Sequence, residues 1–301
     1  MLASRVAIFA DGCVGESIIK YLMANNFGHV KYVVTAGQHL KIANICNAYG
    51  FNAENIFCYD EIKSEDSEKF NIIKQIEVDY IFLSWWPFII KENIIALSKI
   101  GVLNFHPSYL PYNRGKHYNF WNLVEDVPFG VSLHFVDKDV DSGDVIFQKS
   151  IPKTWEDNGG SLFKVAQKEI VDLFINNYKK IILQDFVRTA QDSSLGSFHY
   201  AKELEPASEI DLNKDYVVRD FFNLIRARTF DPHPSCYFYK NNKKFGVTIC
   251  IKKCESKNKG KSILLNAKMK AGDLLKNIVS SYDFCDDGQK FMAILTIRSI
   301  R

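Results

Sequence analysis

The chain has 301 residues, of which 47% are hydrophobic and 24% are charged, and this composition is typical of a globular protein. Its apolar runs, such as IFLSWW at 81–86, are far shorter than the roughly 20 residues that a membrane-spanning helix needs. The seven cysteines are odd in number and scattered, which argues against a disulfide framework. We therefore expect a soluble, cytoplasmic protein with no membrane partner.

The net charge of +3 conceals an asymmetry along the chain. Residues 1–205 carry 20 Lys and Arg against 25 Asp and Glu, whereas residues 206–301 carry 18 against 10. A basic C-terminal third favours an anionic partner such as a nucleotide or RNA. A solvated Lys-rich surface would give the same numbers, so both interpretations stay open.

Short β-branched and aromatic runs alternate with longer amphipathic stretches through the first half of the chain. The runs RVAIFA, HVKYVVT, DYIFLSW and GVLNFH alternate with ESIIKYLMANN, HLKIANICNAYG and KENIIALSKI. This alternation predicts βαβ units and a mostly parallel, Rossmann-like α/β sheet. The runs FGVSLHFVD and DVIFQKSIP then predict a hairpin near the sheet edge, with the Asp-rich turn DKDVDSGD between them.

A long helical pattern at 161–183 is followed by a polar segment without sustained periodicity. We place a catalytic domain at 1–190, a linker at 191–213 and a smaller C-terminal domain at 214–301. The last begins with a helix over about 214–228 and continues in short strands separated by Asn, Lys and Gly clusters. This pattern predicts a barrel-like, OB-type domain.

Polar side chains occupy the end of the strand GVLNFH. Asn104 and His106 are two residues apart and so face the same side of a strand, and Pro107 stops the strand there. In α/β sheets, ligands bind beyond the carboxyl ends of the strands. The pair therefore lies where such folds carry out chemistry, although a histidine that satisfies a buried backbone group and an asparagine that caps a turn would look the same.

The Asp-rich turn at 137–144 places four carboxylates in eight residues. A calcium loop is one interpretation, but its glycine falls at position seven instead of six, and Gln148 stands where a bidentate Glu belongs. We therefore expect no metal there. The turn is either a solvated hairpin tip or the source of a carboxylate aimed at a neighbouring strand end.

Asn, His and Asp together suit the transfer of an acyl or formyl group to an amine. An amide N–H and an imidazolium can stabilise the oxyanion that forms, and such donors contribute about 10²–10³ in rate. The amine must also lose a proton, and imidazole or carboxylate can accept it. No Ser or Cys nucleophile is needed, because the amine itself attacks.

These residues resemble a known family. The element NFHPSYLP at 104–111, the pair Arg114-Gly115 and GVSLHFVDKDVDSGDVI at 130–146 are similar to the 10-formyltetrahydrofolate-dependent formyltransferases. Members of that family act on glycinamide ribonucleotide, methionyl-tRNA and nucleotide-linked amino sugars. The resemblance implies that Asn104, His106 and Asp141 are catalytic, with Asn104 binding the formyl oxygen and Asp141 orienting His106.

The resemblance also implies a binding site for the formyl donor, 10-formyltetrahydrofolate. The family binds the pterin between the loop after the fourth strand and the Asp-rich turn. In this sequence the corresponding candidates are Trp86, Phe88, Ile89, Asp137 and Val140. The two aromatic residues would equally well fill the core beneath that loop.

Residues on the acceptor side indicate which member of the family the chain resembles. Lys116 and His117 follow Gly115 in a variant similar to the sugar N-formyltransferases. Gly12 lies in the first βα turn, which lacks a dinucleotide fingerprint but would suit substrate phosphates. Arg226 and Arg228 would face a sugar nucleotide, or are exposed helix charges.

We therefore expect formyl transfer to a nucleotide-linked deoxyamino sugar, dTDP-linked, for the synthesis of surface polysaccharide such as O-antigen or capsule. The first alternative is methionyl-tRNA formyltransferase, in which tRNA would be the partner. The second is a non-catalytic protein that binds nucleic acid through its basic C-terminal part. The expected partners are small molecules and, as one candidate assembly, a second copy of the chain in a homodimer.

Overall fold

The computed structural model describes residues 4–37, 40–254, 261–277 and 279–300; His39, where the second predicted helix starts, lies outside this part of the chain. The first eight strands are β1 (Val6–Ala10), β2 (Val30–Thr35), β3 (Ile56–Cys58), β4 (Val78–Ser84), β5 (Ser98–His106), β6 (Arg114–Gly115), β7 (Gly130–Phe135) and β8 (Val145–Ser150). The others are β9 (Phe198–His199), β10 (Asp215–Val217), β11 (Cys236–Lys240), β12 (Lys243–Lys253), β13 (Lys261–Ser262), β14 (Lys268–Lys270), β15 (Val279–Asp286) and β16 (Gln289–Ser299).

The α-helices are α1 (Gly12–Asn25), α2 (Leu40–Ala48), α3 (Tyr59–Ile62), α4 (Glu68–Gln75), α5 (Glu92–Ile95), α6 (Tyr118–Val124), α7 (Gly159–Ile182), α8 (Leu204–Ala207), α9 (Val218–Ala227) and α10 (Ala271–Leu274). Short 3₁₀ turns occur at Phe27–His29, Ala53–Asn55 and Ala201–Glu203. Within the described residues, no helix is both long enough and apolar enough to cross a membrane.

Two compact units alternate along the sequence. The first comprises Met1–Arg114, Gly130–Ser150 and Ala166–Gly196, and the second comprises Gly115–Phe129, Ile151–Val165 and Ser197–Arg301. The sequence analysis assumed that each domain is one continuous segment and placed the domain boundaries at residues 190 and 213. These boundaries stay a prediction. The units differ from them because two internal segments make most of their contacts with the C-terminal part of the chain.

The first unit contains a seven-stranded sheet in the order β3-β2-β1-β4-β5-β7-β8. Its first five strands are parallel, and β7 and β8 add an antiparallel hairpin at one edge. Strands β1 and β4 are buried on both faces, as expected of a parallel sheet covered by helices. The predicted Rossmann-like α/β fold with an edge hairpin is therefore confirmed.

The second unit contains a five-stranded sheet in the order β11-β12-β16-β15-β13, against which α9 packs. Apolar residues three and four apart on α9, namely Val218, Phe221, Phe222 and Ile225, are fully buried in this core. The C-terminal region is thus rich in sheet, as predicted. Closure into a barrel is not found among the described strands, because β11 and β13 stand at opposite ends of the strand order and do not pair with each other.

The run SILLNA at 262–267 lies in the region predicted to consist of short strands, but only its first residue belongs to β13. The carbonyl groups of Leu265 and Ala267 instead accept the backbone N–H groups of Arg219 and Val218 at the start of α9. Because they satisfy the helix terminus, these carbonyls are not available to a neighbouring strand.

Candidate active site

The hairpin at the sheet edge brings the predicted catalytic residues together. Strand β5 ends at His106, and β7 runs antiparallel beside it, so that Asn104 lies directly opposite His134. Side chains of alternate residues share one face of a strand, which puts Asn104, His106 and His134 on the same side. Asp141, in the turn between β7 and β8, reaches the same place.

The distances within this cluster are those of direct polar contact. The Asn104 amide nitrogen donates to Asp141 Oδ1 at 3.0 Å, and His106 Nδ1 lies 3.5 Å from Asp141 Oδ2. The His106 side chain is only 6% exposed and that of Asp141 10%. Charge interactions at such buried positions are screened far less than at the surface. The catalytic roles of the three residues stay a prediction, and their proximity is what that prediction required.

The second ring nitrogen of His106, Nε2, faces the loop that follows β5. His106 Nε2 lies 3.4 Å from the carbonyl oxygen of Asn113, a long contact, in the loop that follows the strand. Asn113 is buried and has a φ of 53°, the left-handed conformation that asparagine tolerates better than most residues. The loop thus returns close to the imidazole.

Backbone geometry holds Asp141 in its orientation. Asp141 has a φ of 56°, again in the left-handed region. The Gln191 amide donates to the carbonyl oxygens of Asp141 and Gly143 at 3.0 and 2.7 Å. Asp137 Oδ1 accepts from the backbone N–H of Asp139 and from the Ser142 hydroxyl within the same turn. Hydrogen bonds therefore hold both the beginning of the turn, through Asp137, and its end, through Gln191.

Gly143 gives a test of this turn. A Cβ added there would lie 2.1 Å from the carbonyl oxygen of Phe135, a backbone atom that cannot move aside cheaply. We expect Gly143→Ala to lower the free energy of unfolding by about 1–3 kcal/mol, the usual cost of overpacking, and to lower kcat by displacing Asp141. Denaturant unfolding and kcat measure both effects. Gly28→Ala, where a Cβ meets nothing within 4 Å, is the control; equal behaviour of the two variants would contradict the expectation.

Two residues of this site were not predicted from the sequence. His134 is 1% exposed, and its Nε2 lies 3.2 Å from the Asn104 amide nitrogen and 3.5 Å from Asp141 Oδ1. Gln191 lies at the start of the predicted linker. His134 carried a usable signal, because β7 had been predicted and alternation places one face of it beside Asn104. Gln191 is 50 residues from Asp141, and its contact follows only from the fold.

His106, His134 and Asp141 each offer a metal-ligand atom, and these atoms lie within 4.8 Å of one another. Two of them, His134 Nε2 and Asp141 Oδ1, already lie 3.2 and 3.0 Å from the amide nitrogen of Asn104. We therefore interpret the cluster as a hydrogen-bonded group. The expectation that the site uses no metal stays a prediction.

The predicted donor-binding residues differ in their exposure. Trp86 packs edge-on against Phe9 and Tyr59 at 5.2 Å and contributes to the core. Phe88 stacks on Tyr59 with ring centroids 5.2 Å apart and stays 45% exposed. Ile89 and Val140 are exposed as well, and Asp137 uses one carboxylate oxygen inside its own turn. Exposed apolar side chains on both predicted segments suit an aromatic ligand.

Gly12, the predicted phosphate neighbour in the first unit, begins α1 with a φ of 55°. A side chain there would strain the backbone in addition to approaching Trp85. The positive φ therefore accounts for this glycine. Its predicted role at the substrate phosphates stays a prediction.

The predicted acceptor-binding residues of the second unit fall into two groups. Burial lowers the pKa of His117, and the charges of Arg228 and Lys116 lower it further. Arg228 is buried and donates to Glu205 at 3.1 Å. Lys116 and Arg228 thus lie near enough to His117 to disfavour its charged form, and Arg228 is itself paired with Glu205. Their binding roles stay predictions.

Arg226 has a different environment. Its guanidinium is buried, donates to the carbonyl of Thr154 at 2.6 Å and to Asn223 at 2.9 Å, and covers the ring of Trp155. Burial lowers the pKa of Arg226 to about 10, which leaves it charged at neutral pH. These contacts give the residue a structural role. They do not support the prediction that it binds substrate.

Comparison with known proteins identifies the family. Residues 4–178, more than half of the chain, match the family model described as formyl transferase, and residues 203–253 match the N-formyltransferase dimerization C-terminal domain. The methionyl-tRNA formyltransferase of Lactobacillus johnsonii is 30% identical over 196 residues, which are 64% of this chain. The match spans 60% of that protein's length.

Solved structures show the same fold. A 4-N formyltransferase from Francisella tularensis superposes with a TM-score of 0.65 at 22% identity, covering 80% of this chain and 95% of that one. The N-formyltransferase from Helicobacter canadensis, solved with folinic acid and dTDP-3-aminofucose, gives a TM-score of 0.65 at 16% identity over 99% of this chain and 100% of that one. The chain belongs to the formyl transferase family.

Proposed function

We propose that this protein transfers the formyl group of 10-formyltetrahydrofolate to the amino group of a nucleotide-linked deoxyamino sugar. The observation that carries the proposal is the buried contact of Asn104, His106 and Asp141 at the carboxyl end of β5. It provides a base, a carboxylate and an amide in one place, as attack by an amine requires. The family match supports formyl transfer over other acyl transfers.

In the proposed reaction the amine forms a bond to the formyl carbon, and the bond from that carbon to the leaving folate nitrogen breaks. One proton moves from the amine to the leaving nitrogen. His106 is the proposed group that accepts and returns this proton, and Asp141, 3.5 Å from Nδ1, stabilises the imidazolium in between. Proton transfer by a positioned side chain contributes about 10²–10⁴ in rate.

The formyl donor is proposed to bind beside Phe88, Ile89 and Val140. These side chains expose apolar surface, and Phe88 is already stacked on Tyr59. A flat pterin ring gains more from such a platform than from a polar surface. Trp86 supports the platform from the core, and Asp137 supports the turn that carries Val140.

A substitution at Phe88 tests this donor site. We expect Phe88→Ala to raise the KM for 10-formyltetrahydrofolate about 10-fold, equivalent to about 1.4 kcal/mol of lost binding, with little change in kcat. Phe27→Ala is the matched control, because Phe27 is a similarly exposed phenylalanine of the same unit. If steady-state kinetics gave both variants the donor KM of the unmodified protein, the donor would bind elsewhere.

For the acceptor we propose a dTDP-linked amino sugar and a role in surface polysaccharide synthesis. The cationic groups of Lys116 and Arg228, which lie near His117, suit a diphosphate. The Helicobacter canadensis structure, which matches essentially the whole chain, was solved with dTDP-3-aminofucose. That full-length likeness is the reason for preferring an amino sugar.

Methionyl-tRNA formyltransferase is the second candidate. It is favoured by the 30% identity to the Lactobacillus johnsonii protein and by the basic C-terminal third. Release of tetrahydrofolate, followed by absorbance with either a panel of dTDP-amino sugars or charged initiator tRNA, separates the two. We expect turnover with an amino sugar only. Turnover with tRNA only would establish the second candidate, and tRNA binding without any transfer would favour a nucleic-acid-binding protein.

We also propose that the protein forms a homodimer. The proposal is supported by the match of residues 203–253 to a domain described by its dimerization. Sedimentation equilibrium should give twice the mass of the chain. A single-chain mass at all concentrations would contradict the proposal.

A further inference from the structure

His199, in β9 of the second unit, has a carboxylate at each of its ring nitrogens. Nε2 lies 2.7 Å from Glu125 Oε1, directly after α6, and Nδ1 lies 2.9 Å from Glu203 Oε2, in the 3₁₀ turn that follows β9. The side chain of His199 is only 13% exposed. A carboxylate accepts hydrogen bonds, so both contacts are hydrogen bonds only when both ring nitrogens carry hydrogen. That form of the ring is the imidazolium.

The surroundings of the ring favour this charged form. The indole of Trp121 stacks on the imidazole, with ring centroids 3.7 Å apart and an angle of 6° between the planes, and the face of an indole attracts a cation. The hydrogen bond from His199 in turn lowers the pKa of Glu203. Lys202, beside Glu203, and Lys116, after β6, are the cations of the adjoining segments. The ring itself contacts two carboxylates and an indole face.

The strand and the turn that meet at His199 support the segment on the acceptor side. β6 pairs with β9, and the backbone N–H of Lys116 donates to the His199 carbonyl oxygen at 3.0 Å. A Cβ at Gly115 would lie 2.3 Å from the same oxygen, so the two strands approach closely. His117 forms a hydrogen bond with the backbone of Ala201, the first residue of the 3₁₀ turn. Both β9 and the turn therefore hold the segment that contains Lys116 and His117.

We propose that His199 is a positioning residue for the acceptor, and that its proton joins Glu125 to Glu203 and so holds the Lys116–His117 segment in place. The inference rests on the proposed amino-sugar acceptor. A neutral imidazole has only one N–H, so loss of the proton leaves a ring lone pair facing a carboxylate oxygen, which is repulsive. Acceptor binding then weakens as the pH rises, within the range in which histidines change charge. The apolar side chains proposed to bind the donor make none of these contacts.

The KM for the acceptor, measured with a dTDP-amino sugar from about pH 5.5 to about pH 9.5, tests this role. We expect the KM to rise by about 10-fold across the range, the equivalent of one hydrogen bond, and the donor KM to lack this rise. In His199→Gln the acceptor KM should be high at every pH. Titration of His117 or of the acceptor affects both proteins alike, so an equal pH dependence in the two would overturn the proposal. His29→Gln, at a histidine of the first unit, is the control and should retain the dependence.

Glu203→Gln is the matched rescue variant. A glutamine amide can accept from the imidazolium through its oxygen, and it can donate to the neutral ring through its nitrogen. Both forms of His199 then keep two hydrogen bonds, so we expect a low acceptor KM throughout the pH range. A purely structural role of the ion pair predicts the reverse, a high KM at every pH, and that result would overturn the proposal.

A spectroscopic measurement tests the inference without substrate. The ¹⁵N chemical shifts of the His199 ring, identified by comparison with His199→Gln, should show hydrogen on both nitrogens at the low end of the pH range and on one nitrogen at the high end. A protonation state that does not change across the range would overturn the proposal. If the protein formylated no amino sugar, the proposed function would fail, and the ¹⁵N shifts would still decide whether His199 joins the two carboxylates.

Discussion

Replacing His106 by alanine is expected to reduce kcat by about 10²–10⁴-fold, the contribution of a positioned acid–base group. The reason is local, because His106 is the imidazole that contacts Asp141 at the end of β5, and its buried position limits access of water as a substitute base. Steady-state kinetics with saturating donor and acceptor measure the effect. The donor KM should stay unchanged, because the apolar platform around Phe88 is untouched.

The control for His106→Ala is His29→Ala. His29 is a partly buried histidine of the same unit whose Nδ1 contacts the Tyr178 hydroxyl at 2.8 Å. The substitution His29→Ala removes an imidazole and a hydrogen bond but leaves the proposed active site unchanged, so kcat should be retained. Near-normal turnover in His106→Ala would show that the reaction takes place elsewhere on the chain.

Replacing Asp141 by asparagine is expected to lower kcat by about 10²-fold while preserving the shape of the side chain. Asparagine keeps an oxygen that can accept from Asn104, but it has no charge with which to stabilise the His106 imidazolium. The loss should therefore appear in kcat and not in the binding of either substrate. A change confined to KM would contradict the assigned role.

Asp139→Asn is the matched control for Asp141→Asn. Asp139 lies in the same turn, and Asp139→Asn removes the same charge as Asp141→Asn. The side chain of Asp139 is exposed, however, and only its backbone groups form hydrogen bonds within the turn. We expect its kcat to equal that of the unmodified protein. Equal losses in the two variants would mean that the net charge of the turn matters, and not the contact between Asp141 and His106.

Most of the parallel sheet was predictable because β1, β2, β4 and β5 each contain a short run rich in β-branched and aromatic residues, whereas β3 was not among the predicted runs. Where the pattern was ambiguous, the prediction of elements was less accurate. KENIIALSKI was taken as a helical stretch, but α5 ends at Ile95 and the chain is extended from Ser98 onwards. Ser98 pairs with Val78 in the sheet, so tertiary pairing overrides the local helical period.

The interleaving of the two units could not be derived from the sequence. Residues 115–129 and 151–165 look like ordinary parts of the first domain, yet they belong to the compact unit that contains the C-terminal sheet. Arg226 illustrates the consequence. It was predicted either to face a sugar nucleotide or to be an exposed helix charge, but its guanidinium is buried against Trp155 and the carbonyl of Thr154, more than 70 residues earlier.

Asn104, His106 and Asp141 were predicted as catalytic because their spacing matches a family motif, whereas the contact between Asn104 and His134 involves a residue that the motif does not contain. The sequence indicates that an amide is present at position 104. His134 Nε2 lies 3.2 Å from the Asn104 amide nitrogen, and His134 Nδ1 lies 2.8 Å from the carbonyl oxygen of Phe135. Such a chain of hydrogen bonds is visible only once β5 and β7 are paired.

The most direct test of the proposed activity is to detect the transferred group in the product. The protein is incubated with 10-formyltetrahydrofolate labelled with ¹³C in the formyl carbon and with a panel of dTDP-amino sugars, and the sugars are analysed by mass spectrometry. We predict a labelled formamide on one amino sugar, formed by the unmodified protein and not by His106→Ala. Label recovered only in methionyl-tRNA, or in no amine, would contradict the account.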